Sequence, residues 1–192
     1  MSAKDLLFWC LIGSLLGSSA YFGVNAEAQR RAVRHAVAKL EAGELVSVTS
    51  IIDGDTVLVQ REDESVVAVR LLGIKAFDPT RDREASARFG KAAMDALSEL
   101  TDGRKFTVQL NDPPKDRYGR TLARLRFDNQ SLGLGLVSRG FALVYTAYPF
   151  VGMDAYLREQ ERARGARQGL WADPKVAEQA DLLDRQWRRQ SR

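Results

Sequence analysis

Apolar and polar positions follow three rhythms along this chain. From Leu6 to Val24 there is no charged residue, and a helix of that length crosses about 30 Å of hydrocarbon, so the run predicts a membrane span drawn at residues 5–25. Ala26-Glu27-Ala28 directly after it also fits the small-residue cleavage site of a secretory signal, the competing reading of the same stretch. Residues 26–43 have helix-forming composition with Ala32, His35 or Ala36, and Leu40 on one stripe, and predict a juxtamembrane helix or linker. From Leu45 the period shortens to two: Val46 and Val48, Val57 and Val59, then Val67, Val69 and Leu71, with a charged tip at Arg61 to Glu64. This predicts three antiparallel strands, the third running from Val66 to Ile74. Asp53-Gly54 between the first two reads as a type I′ hairpin turn, which needs a residue tolerant of positive φ.

Helical spacing returns at Glu84 to Leu100, where Ala85, Phe89, Ala92, Ala96 and Leu100 share a face before Asp102-Gly103. Lys105 to Leu110 and Thr121 to Phe127 alternate again, separated by a Pro113-Pro114 loop. Further helices are expected over Ser131 to Gly140, Gly152 to Gly169 and Val176 to Arg192. Five short strands with packed helices predict an α+β fold built on a five-stranded OB-type barrel, occupying 44–173. Residues 174–192 then form a short helical tail for docking onto a partner.

Composition narrows the chemistry. One cysteine, Cys10, precludes an intrachain disulfide, and one histidine, His35, removes every mechanism that needs paired histidines. The net charge of +4 favours anionic partners. Arg30, Arg31, Arg34 and Lys39 follow the uncharged run while Lys4 alone precedes it, which sets the globular part on the matrix, cytosolic or stromal side. Gly13 and Gly17 make a small-residue face in that run, suited to a neighbouring helix.

One hairpin concentrates the polar chemistry. Asp53 and Asp55 stand at a strand mouth, and Arg70 points away from Val69 and Leu71 on the third strand, so two carboxylates and a guanidinium become candidates for one pocket. Their wording, DGDT (53–56) and RLLGI (70–74), with DRYGR (116–120) and GLW (169–171) following in order, resembles the staphylococcal nuclease family over about residues 45 to 172. The resemblance implies a calcium ion on carboxylates at the DGD turn and after the RLLGI strand, a glutamate that activates water, and two arginines on the phosphate. Position by position, Asp55 matches the first metal ligand, with Asp53 behind it. Arg70 and Arg120 match the arginines, and Asp78 falls on the glutamate. The second ligand is replaced: where the pattern has RLLGIDAPE this chain has RLLGIKAFD, with Lys75 for aspartate and Phe77 for proline.

An ammonium about 4 Å from a dication costs on the order of 8 kcal/mol at an effective dielectric near 20. Lys75 is therefore expected to occupy the cation position itself and pair with Asp55 and Asp78, with no cofactor required. Two functions follow: a non-catalytic accessory subunit of a membrane complex, the mitochondrial inner membrane favoured, or a membrane-tethered calcium-dependent nuclease. Tyr118 and Tyr145 are the aromatics that could stack nucleic acid bases.

Overall fold

Alternating side chains build a closed wall in the computed structural model, which describes residues 39–190 apart from Arg83 and Arg117. The strands are β1 (Leu45–Asp53), β2 (Thr56–Gln60), β3 (Val66–Leu71), β4 (Ile74–Lys75), β5 (Lys105–Lys115), β6 (Thr121–Phe127), β7 (Gln130–Ser131) and β8 (Leu143–Val144). The helices are α1 (Glu84–Thr101), α2 (Leu132–Ser138), α3 (Met153–Gly165) and α4 (Pro174–Gln190), with a 3-10 turn at Gly169–Ala172. The main sheet runs β3-β2-β1-β5-β6-β7, and a parallel pairing of β3 with β6 closes its first five strands into a barrel. Val57, Val59, Val69, Val108, Ala123 and Leu125 are fully enclosed inside it, and closure removes the sheet edges that would otherwise expose unpaired backbone. Ala93, Ala96 and Leu97 of α1 and Leu136 and Val137 of α2 complete this core.

Several expectations shift. The third strand stops at Leu71; the chain turns at Leu72 and Gly73, and Ile74-Lys75 pairs instead with Leu143-Val144 in a separate two-stranded ribbon. The supposed Pro113-Pro114 loop belongs to β5, which runs on to Lys115 and meets Thr121 across a register irregularity. At the first hairpin Asp53 pairs with Thr56, so the turn centres on Gly54 and Asp55, and Gly54 is not among the glycines with positive φ. It is glycine for a different reason. A Cβ there would stand 2.6 Å from Ala76 Cβ and 2.8 Å from Ala93 Cβ, so the turn packs flush on α1 and on the segment after β4.

The expected docking tail also differs in how its apolar stripe is used. Val176, Ala180 and Trp187 of α4 are buried in a second hydrophobic cluster with Phe77, Leu143, Ala147, Ala163, Leu170 and Trp171. The stripe is satisfied within the chain, and Leu182, 56% exposed, is the large apolar residue α4 leaves outside. The membrane span, the expected juxtamembrane helix up to residue 38, Cys10, Gly13, Gly17 and His35 lie outside the described residues; residues 39–43, the end of that expected helix, form a turn instead, with Leu40 buried in the first core. Among the described residues no helix is long and apolar enough to cross a membrane.

Candidate functional site

Asp55 is the centre of the polar cluster, and it is 2% exposed. The tight β1–β2 turn points its carboxylate to where β3, β4 and β6 meet. Arg70 Nε lies 3.1 Å from Oδ1, and the Thr56 hydroxyl donates to the same oxygen at 3.4 Å. Lys75 Nζ is 3.3 Å from Oδ2, which also accepts the Ala76 N–H at 3.0 Å. A carboxylate offers about four lone-pair sites, and four donors occupy this one. Burial works to raise the Asp55 carboxyl, but the charges of Arg70 and Lys75, aided by the Ala76 N–H, hold it below its ordinary value.

Asp53 stands behind. Its Oδ1 accepts the Asp55 N–H at 2.9 Å, and burial together with the negative charge of Asp55 raises its carboxyl.

Arg70 is held from every side. Besides Asp55 Oδ1, its Nη1 donates to the carbonyls of Leu71 at 2.6 Å and Asp55 at 3.3 Å, and its Nη2 to Ile74 O at 2.6 Å. Of five guanidinium N–H groups, four serve to tie the β1–β2 turn to the end of β3 and to β4. Arg120 arrives through the parallel pair, since Val69 is in register with Thr121 and Arg70 with Leu122. Its Nε and Nη2 hold Asp116 Oδ2 at 2.8 and 2.7 Å, and its Nη1 reaches Thr56 Oγ1 at 3.4 Å. Asp55, Thr56, Arg70, Lys75 and Arg120 thus form one contiguous polar cluster.

Asp78 does not join it. Its Oδ1 accepts the Thr80 N–H and hydroxyl, each at 2.8 Å, and the Arg81 N–H at 3.0 Å, while Arg81 Nε approaches Oδ2 at 3.7 Å. It closes the turn that leads to α1. Burial works to raise its carboxyl, but the donors from Thr80 and Arg81 together hold it below its ordinary value. The expected pairing of Lys75 with both Asp55 and Asp78 is therefore half made, because Asp78-Pro79-Thr80 folds into a local side-chain-capped turn. Tyr118 is 69% exposed, with Arg120 Cζ 5.6 Å from its ring centre. Tyr145 is half-buried and packs against the second core, edge-on to Trp187 at 5.0 Å.

Two participants carried no assignment from the sequence: Thr56, which joins Arg120 to Asp55, and Asp116, which steadies Arg120. Both lie inside motifs already legible, as the last residue of DGDT and the first of DRYGR.

The staphylococcal nuclease homologue family model matches residues 68–173, more than half of the chain. The chain belongs to this family. It is 35% identical over 145 residues to an uncharacterized endonuclease of Haemophilus influenzae, covering 76% of this chain and 73% of that protein. It is 36% identical over 157 residues to the micrococcal nuclease of Shigella flexneri, covering 76% and 80%. A thermonuclease of Staphylococcus intermedius is 28% identical over 100 residues, 52% of this chain and 59% of that protein. The calcium ion that the motifs imply does not fit the donors present. Calcium takes six to eight oxygens, whereas the oxygens of Asp55 are filled by nitrogen and hydroxyl donors. No group of three His, Cys, Asp or Glu side chains suited to a metal occurs among the described residues.

Proposed function

We propose that this member of the nuclease family keeps the fold but not the hydrolysis, and serves as a non-catalytic module of a larger assembly. One observation carries the reading: the Lys75 ammonium rests on Asp55 Oδ2, where an external cation would have to bind. Cleaving a phosphodiester needs developing negative charge neutralised and a water oriented. Arg70 is engaged with backbone carbonyls, and the Asp78 oxygens that would orient water are engaged by Thr80 and Arg81. The uncharged run at Leu6 to Val24 supports tethering of this module to a membrane, with the mitochondrial inner membrane as the proposed site.

The test is incubation of the full chain with single-stranded DNA and RNA in millimolar calcium. The expected outcome is no cleavage above that of an Arg70→Ala, Arg120→Ala double variant. A second reading, a working nuclease, is favoured by the continuity from Arg70 through Asp55 and Thr56 to Arg120 and by the names of the relatives. Calcium-dependent cleavage that the double variant loses would establish it and overturn the first.

A further inference from the structure

The ion cluster is backed by the second hydrophobic core, and α4, which begins where the family match ends, closes that core. Lys75 is framed by two residues that bury their side chains there. Leu143 is its antiparallel partner across the β4–β8 ribbon, and Phe77 follows two residues later. They are 3% and 5% exposed, in the cluster that Val176, Ala180 and Trp187 complete. The segment after β8 is fastened to the same helix: Trp187 meets Tyr145 edge-on, and the Thr146 hydroxyl donates to Asp184 Oδ1 at 3.4 Å. Arg164 of α3 pairs with Asp181 of α4 at 2.8 Å. On the opposite side α1 leaves no slack, since a Cβ on Gly90 would lie 2.4 Å from the Phe77 carbonyl oxygen.

We propose that α4 positions the ion cluster: by burying Phe77 and Leu143 it fixes the backbone at Lys75 so that the ammonium reaches Asp55, and Phe77 and Trp187 are its positioning residues. This rests on the reading of Lys75 as the internal cation. A lysine with four carbons of flexible stem and 44% side-chain exposure has many other places for its head in solvent. A backbone anchored on both flanks restricts them. The bulky Phe77 and the helix that receives it form one device.

Limited acetylation of the folded full chain with acetic anhydride, read by mass spectrometry, tests this through the rate at Lys75 relative to exposed Lys91 on α1. In the unaltered protein Lys75 should react more slowly than Lys91. Trp187→Ala and the milder Val176→Ala should each raise the Lys75 rate severalfold, while Val46→Ala, which weakens the first core at the end of β1 away from the β1–β2 turn, should leave the ratio unchanged. The Val176→Ala variant keeps the result decisive if Trp187→Ala fails to fold. Equal rates at Lys75 and Lys91 in the unaltered chain would remove the internal cation itself. A slow Lys75 that stays slow in both α4 variants would overturn the positioning role alone.

Discussion

At the scale of single residues, Arg70 and Asp55 bear the greatest constraint. Arg70→Ala strips a buried carboxylate of its closest cation and leaves the carbonyls of Leu71 and Ile74 without their donor. Breaking a buried pair in this way costs about 3–5 kcal/mol, and urea denaturation should show a midpoint lowered accordingly. Asp53→Asn should act in the opposite direction. The Asp53 carboxyl is raised by burial and by Asp55, so its ionisation weakens the fold at any pH above its folded value, and the penalty fades as pH falls towards the ordinary carboxyl range. Asparagine keeps an acceptor for the Asp55 N–H without the charge. The variant should therefore be more stable than the unaltered chain at pH 7 and equal to it near pH 3, measured by denaturation at both. Asp55 has the reverse linkage: its folded value is lowered, so its contribution is complete above its unfolded value and is lost as acid drives the pH through the folded one.

At the scale of elements, the longer strands and helices that periodicity announces from Leu45 onward are found among the described residues, and what depends on a few side chains is not legible. β1, β2, β3, β6 and α1 each carry enough alternating or helical positions to be read directly. β4 and β8 are two residues each, too short to show a period, so the ribbon that places Lys75 against Leu143 is invisible until the chain is folded. Gly54 invites a positive-φ reading because Asp-Gly is a hairpin signal, yet contact with Ala76 and Ala93 is what requires it. For Asp78, matching by position said nothing about side-chain direction. Its own neighbours did, since Asp-Pro-Thr is a turn in which the carboxylate caps the following N–H groups. The amphipathic stripe of α4 was legible as a docking face; that it docks on this chain could not be known without the second cluster it fills.

At the scale of the whole molecule, the question is whether an external ion is linked to folding at all. A ligand that binds only the folded state stabilises it by RT ln(1 + [L]/Kd), and one that does not bind contributes nothing. With Lys75 on Asp55, millimolar calcium should leave the melting temperature of the unaltered chain where it was. Lys75→Asp reverses the local charge, setting a second carboxylate beside Asp55 and recreating the donor pattern of RLLGID. Without metal the two carboxylates repel and the variant should melt lower. Calcium at about a hundredfold excess over its Kd then adds about 2.7 kcal/mol. At about 2–4 °C per kcal/mol for a domain of this size, the melting temperature should recover by roughly 5–10 °C. Magnesium, which demands tighter octahedral geometry and gives up water reluctantly, should recover less. Calorimetric melts of both proteins with and without each ion decide the matter. A calcium-dependent rise in the unaltered chain would show that the lysine yields its place to a metal, and would return the chain to the catalytic reading.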